Sequence, residues 1–150
     1  QLRPWFANHL KRLEKNPKVY IRDTGLLHAL LHRRSLEELR SDSTILGHSW
    51  EGFCIENLVE AAPGARPFFY RADSEQDEID LVLEFSAGRR LAIELKSRTA
   101  KLGSGCADAI REVGAVEAFV VRPVPESSQK SGYREMTLRD MIAFVREFGR

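Results

Sequence analysis

The chain has 150 residues, 43% of them apolar and 30% charged, with a formal net charge of +1. This is enough for one domain with an appended segment, in the composition range of soluble globular proteins. No apolar run approaches the roughly 18–20 residues that cross a bilayer, and no secretory n-region and h-region opens the chain. Its two cysteines, Cys54 and Cys106, read as small core residues of a protein expected in a reducing cytoplasm.

The near-neutral total hides an asymmetry. Residues 1–45 carry nine Lys/Arg against five Asp/Glu, residues 46–100 six against ten, and residues 101–150 eight against seven. The N-terminal excess (Lys11, Arg12, Lys15, Lys18, Arg22) can contact phosphate or an acidic partner, although charge alone favours a solvated helix face plus a basic loop.

Helical spacing of Trp5, Phe6, Leu10 and Leu13 predicts a helix over 1–16, ended by Pro17. Val19-Tyr20-Ile21 reads as a short extended piece, and Asp23 or Thr24 can cap a helix through Leu31. His28 and His32 lie at i, i+4, a zinc-compatible spacing, but without an HExxH pattern or a third ligand nearby. A short helix over Ser35–Arg40 and a polar break at Ser41–Ser43 complete a helical N-terminal extension, residues 1–43. A longer helix then runs within Thr44–Ala62 and stops at Pro63-Gly64. At about 100° per residue, Glu51 falls inside the arc formed by Cys54, Ile55, Leu58 and Ala61. Glu56 and Glu60 fall on its polar side.

Pro67–Arg71 reads as a strand and Ala72–Asp77 as an acidic turn. Two apolar strands follow, EIDLVLEF (Glu78–Phe85) and RLAIELK (Arg90–Lys96), joined at Ser86-Ala87-Gly88. A three-residue loop ending in Gly suits a type I turn with a glycine bulge, which sets Phe85 opposite Arg89 and Asp80 opposite Glu94. Strict alternation puts Asp80, Val82, Ala92, Glu94 and Lys96 on one face, and Ile79, Leu81, Leu83, Ile93 and Leu95 on the other. Thr99–Gly105 reads as a loop, followed by a helix within Ser104–Val113, a strand at Glu117–Arg122, a loop at Pro123–Gly132 and an extended piece at Tyr133–Met136. Thr137 or Asp140 caps a last helix through Phe148. The order implies an α/β fold over residues 44–150, with a mixed sheet of about four strands flanked by helices and the last strand brought alongside by a helical crossover.

A carboxylate in a strand that is otherwise apolar needs a partner, a proton or a metal ion. Glu51, Asp80 and Glu94 offer hard oxygen donors for Mg²⁺ or Mn²⁺, and Lys96 can orient a water or stabilise charge on a phosphate. A structural Glu94–Lys96 ion pair, with Asp80 capping a turn, is the simpler account of the same residues. There is no GxSxG elbow, no recognisable Cys/His pairing and no GxxxxGK[ST] loop, so no ATP site of the P-loop type lies within this chain.

An Asp followed by Glu-x-Lys resembles the PD-(D/E)xK pattern of phosphodiesterases, with Ile79-Asp80 where Pro-Asp is common. The runs KNPKVYIRDTGLL, SWEGFCIENL and EIDLVLE followed by IELK further resemble the uncharacterised C-terminal domain of predicted AAA+-superfamily ATPases of bacteria and archaea. The resemblance covers nearly the whole chain in order. It implies a restriction-endonuclease-like core, with the family's helix Glu at Glu51, its EID acid at Asp80 and its ExK at Glu94 and Lys96. It also implies that an ATPase module precedes this region, so that a chain opening on Gln rather than Met is a fragment. The expected function is a divalent-metal domain hydrolysing DNA phosphodiesters. The alternative is a non-catalytic nuclease-fold module for protein interaction, assembly or nucleic-acid docking. DNA, the ATPase module and a second copy of the chain are the candidate partners, and no membrane is expected.

Overall fold

A computed structural model of the chain describes residues 1–6, 16–72, 78–98 and 105–150. Its centre is a seven-stranded mixed sheet in the order β1-β2-β3-β4-β5-β7-β6. The strands are β1 (Arg3–Pro4), β2 (Arg66–Arg71), β3 (Glu78–Glu84), β4 (Arg90–Leu95), β5 (Glu117–Val121), β6 (Ser128–Lys130) and β7 (Tyr133–Met136). The helices are α1 (Thr24–Leu30), α2 (Leu36–Ser41), α3 (Ser43–Ala61), α4 (Cys106–Val113) and α5 (Leu138–Phe148). β2, β3 and β4 form the antiparallel meander, and α4 carries the chain over to β5, parallel to β4.

The expected α/β class holds, but the expected count of about four strands does not. The additional strands are the two sheet margins. Arg3–Pro4, assigned by periodicity to a helix over 1–16, instead pairs parallel with β2, so the N-terminal extension is not purely helical. An edge strand tolerates Pro4 because its missing N–H faces away from the ladder. Residues 7–15, which hold Leu10, Leu13 and much of the basic cluster, lie outside the described residues, as do the centres of the expected loops at 73–77 and 99–104. At the other margin, the expected loop 123–132 contains β6, which pairs antiparallel with β7 across a turn where Gly132 has φ 84°.

Helices cover both faces. α3 and α5 pack with Leu58, Leu81, Leu83, Leu91, Ile93 and Phe119 on one side. Trp5, Phe68, Ile79, Val82, Ala92, Ala109 and Val113 form a second apolar cluster on the α4 side. α3 begins where the Asp42 carboxylate accepts the N–H groups of Thr44 and Ile45, and Thr137 caps α5 by accepting the Asp140 N–H.

The β3–β4 hairpin keeps the inferred register, with Leu81 opposite Ile93 and the Phe85 N–H donated to the Arg89 carbonyl at 2.8 Å. Its loop differs from a type I turn with one glycine bulge, since Ala87 (φ 56°) and Gly88 (φ 69°) are both left-handed. Strict alternation fails along β3. Tyr70 pairs with Ile79 but Phe68 with Val82, so two residues of β3, Asp80 and Leu81, face the single residue Phe69. This bulge moves Ile79 to the α4 side with Val82, rather than to the side of Leu81 and Leu83.

Candidate carboxylate site

The bulge falls at Asp80. Its Oδ2 accepts the Leu95 N–H at 2.9 Å, so a side chain closes the hairpin where the backbone ladder ends after Leu81 and Ile93. Glu94, the preceding residue on β4, pairs through Oε1 with Lys96 Nζ at 2.5 Å. Its other oxygen, Oε2, is buried without a hydrogen-bond partner. Glu51 sits in the middle of α3 with its side chain 15% exposed, as the helix arc predicts, and Glu56 is instead paired outward with Arg22 at 2.6 Å.

Three residues that the sequence did not single out for this site join it. Lys18 Nζ lies 3.0 Å from Glu51 Oε1, 2.5 Å from Glu78 Oε1 and 3.7 Å from Asp80 Oδ1. Tyr20 donates its hydroxyl to Glu51 Oε1 at 2.5 Å. Glu78 is also held by Arg71 at 3.1 Å. A pattern for two of them, Lys18 and Tyr20, was present. In the extended run Lys18–Arg22, polar Lys18, Tyr20 and Arg22 alternate with Val19 and Ile21, and each polar member reaches a glutamate of α3.

The electrostatics follow from burial. The Asp80 carboxyl is pushed up to about 8, first by burial, then by the charges of Glu94 and Glu51; the Leu95 N–H and Lys18 act the other way. Burial also raises Glu94, against the opposing pull of Lys96. Burial would lower Lys18 and Lys96, yet the surrounding carboxylates outweigh it and both amines titrate above their ordinary value. Lys96 is therefore a cation at neutral pH and not a proton acceptor. Burial, with Asp80 and Glu51 nearby, raises the Cys54 thiol far above neutrality, which leaves it inert. His28, which the spacing offered as a zinc ligand, is occupied by Ser49, with Nε2 2.6 Å from Oγ.

Among the described residues no three Asp, Glu, His or Cys side chains converge as a formed metal cage. The donor set nonetheless suits a hard divalent ion: buried carboxylate oxygens, one of them unpartnered, and more acidic than basic groups. A separate groove of about 690 Å³, lined in part by Trp5, Arg66, Glu84 and Arg90, contains none of these residues, and both of its arginines are tied to Glu84.

The fold and site thus define a mixed α/β domain with a buried acidic cluster where β3 begins and β4 ends, facing α3. Residues 46–138 match the model of a family described as a domain of unknown function, DUF4143, and the chain belongs to that family. DUF4143 is frequently found as a C-terminal domain of AAA-type ATPases. Residues 1–37 match a second such model, DUF8612. Uncharacterised proteins of Mycobacterium bovis (Mb2031c) and Mycobacterium tuberculosis (Rv2008c) are each 39% identical over 127 residues, which is 82% of this chain and 27% of theirs. The chain therefore spans about a quarter of the length of these relatives. No solved structure matches. No helix among the described residues is long and apolar enough to cross a membrane.

Proposed function

We propose that the chain is a PD-(D/E)xK, restriction-endonuclease-like domain that binds Mg²⁺ or Mn²⁺ and hydrolyses DNA phosphodiesters beside an ATPase module. The observation that carries this reading is the buried Asp80 carboxyl at one end of the sheet, within electrostatic reach of Glu94 and Glu51, with Lys96 paired to Glu94 at 2.5 Å. Glu51, Asp80 and Glu94 are the residues to hold the ion. Bound there, the ion supplies Lewis acidity toward a phosphoryl oxygen and makes water a stronger acid. The Leu95 N–H fixes the Asp80 carboxylate, and Tyr20 fixes that of Glu51. Lys96, part-exposed beside Glu94, places positive charge where negative charge grows on the phosphate. The purified protein with Mg²⁺ or Mn²⁺ should nick plasmid DNA, and Asp80→Ala should abolish it. Equal cutting by that variant rules the assignment out.

A second reading, a non-catalytic module for interaction or assembly, draws on apolar side chains left in solvent at Val19 (71% exposed), Leu26 (54%), Leu30 (60%) and Leu36 (58%). It predicts no Mg²⁺ or Mn²⁺ binding by calorimetry and no retention of DNA at low salt. Binding of either ion at an Asp80-dependent site excludes it as the whole account.

A further inference from the structure

Lys18 lies outside the Asp and Glu-x-Lys pattern, yet its ammonium stands at the centre of the cluster. Glu51, Glu78 and Asp80 are all within ion-pair distance of this one nitrogen, and the Phe69 ring centroid lies 5.3 Å away. We propose that Lys18 is the resident cation of the site, and that it competes with a divalent ion for Glu51 and Asp80 and must leave before one binds. The inference rests on the divalent-ion reading above and deepens it.

Magnesium takes oxygen ligands at about 2.0–2.1 Å in a near-octahedral shell. An ammonium 3.0 Å from Glu51 Oε1 and 3.7 Å from Asp80 Oδ1 fills the space that such a shell needs. The same nitrogen supplies the charge that keeps the carboxylates together in its absence.

The backbone at Lys18 is fixed, because its N–H and carbonyl both bond to Leu2, at 2.9 and 2.8 Å. The four-carbon stem has rotatable bonds through which the ammonium can turn. Glu78, outside the ligand set and half-buried, already holds the ammonium at 2.5 Å and can keep it after Glu51 and Asp80 are given up. Tyr20 bonds the same Glu51 oxygen as Lys18, so Glu51 stays oriented once the lysine has gone. Tyr20 is thus a positioning residue, and Lys18 a counterion that sets how tightly the ion is held.

The test uses the full-length protein without nucleotide and Mn²⁺ as the probe, with calorimetry on the wild type, Lys18→Met and Asp80→Asn. Lys18→Met should bind Mn²⁺ at the Asp80-dependent site at least about tenfold more tightly than the wild type. In the wild type, acylation of Lys18 followed by mass spectrometry should rise several-fold on Mn²⁺ saturation, while that of Lys130 stays constant. Equal or weaker affinity in Lys18→Met overturns the role of Lys18 and leaves the divalent-ion reading standing. Absence of Asp80-dependent binding in both wild type and Lys18→Met overturns both. Should Lys18→Met not fold, the wild-type labelling decides alone, and unchanged Lys18 reactivity on Mn²⁺ saturation overturns the proposal.

Discussion

Asp80 is an acid held where ionisation is opposed, and this has a consequence for stability. An aspartate in the unfolded chain titrates near 4, whereas the folded carboxyl is pushed up to about 8 by burial and by the charges of Glu94 and Glu51. Between these values the folded chain binds a proton that the unfolded chain releases. Stability linked to Asp80 is therefore fully present below about pH 4 and is lost as pH rises toward 8. Asparagine keeps the oxygen that accepts the Leu95 N–H and removes the charge. In chelator, Asp80→Asn should melt at least about 3 °C above the wild type at pH 8 and close to it at pH 4. Thermal melts across that range check this, and a difference that does not change with pH refutes the coupling. Of the site residues, Glu51 was legible because α3 is long enough for its arc to be read, and Glu94 and Lys96 because β4 is so apolar around them. The alternation along Lys18–Arg22 sets Lys18 on the polar side of an extended run but does not name its partners. Its partners lie on α3 and β3, and no local pattern announces that crossing.

At the level of elements, the chain is most readable where apolar periodicity is strong and least readable where pairing is the only reason for a strand. β4, β5 and α5 follow their sequence pattern because each buries side chains. β6 is Ser-Gln-Lys, with no apolar face, and it forms only because β7 lies beside it. The β3 bulge is invisible to alternation for a similar reason. One extra residue turns Ile79 to the α4 side and leaves Asp80 free of the ladder, and only the pairing with β2 shows this. The crossover shows the opposite case. α4 ends at Gly114, whose φ of 64° meets the left-handed requirement of a helix C-cap, and its N–H is donated to the Arg111 carbonyl at 3.1 Å. A Cβ at Gly114 meets only the flexible end of Arg90, at 3.6 Å, so the cost of Gly114→Ala is conformational. Urea denaturation should show a loss of about 1 kcal/mol, and no loss would mean that α4 ends differently.

Across the whole molecule the sheet is bounded by two short margins, β1 with Pro4 and β6 with Lys130, both poor templates for further pairing. The β1 margin also joins the N-terminal segment to the core. Trp5 is 4% exposed in the cluster on the α4 side, donates its indole N–H to buried Glu84 at 3.4 Å, and stacks against the Arg90 guanidinium 5.1 Å from its ring centroid. That Trp5 follows Pro4 directly and precedes Lys18 by thirteen positions can be read from the sequence, but the closure of that stretch by the Leu2–Lys18 bridge cannot. If the first residues were an extension lying on the surface, replacing Trp5 would change stability by no more than about 0.5 kcal/mol. As a core residue that anchors a strand, Trp5→Ala should cost about 3–5 kcal/mol, because it opens a cavity and takes one donor from a buried carboxylate. Arg66 and Arg90 still neutralise Glu84, so the variant should remain folded and measurable. Equilibrium denaturation of the two proteins separates the alternatives. A loss in the larger range makes β1 an integral part of the domain that presents Lys18 to the acidic cluster, and a loss under 0.5 kcal/mol removes the anchor through which the N-terminal segment is argued to reach the site.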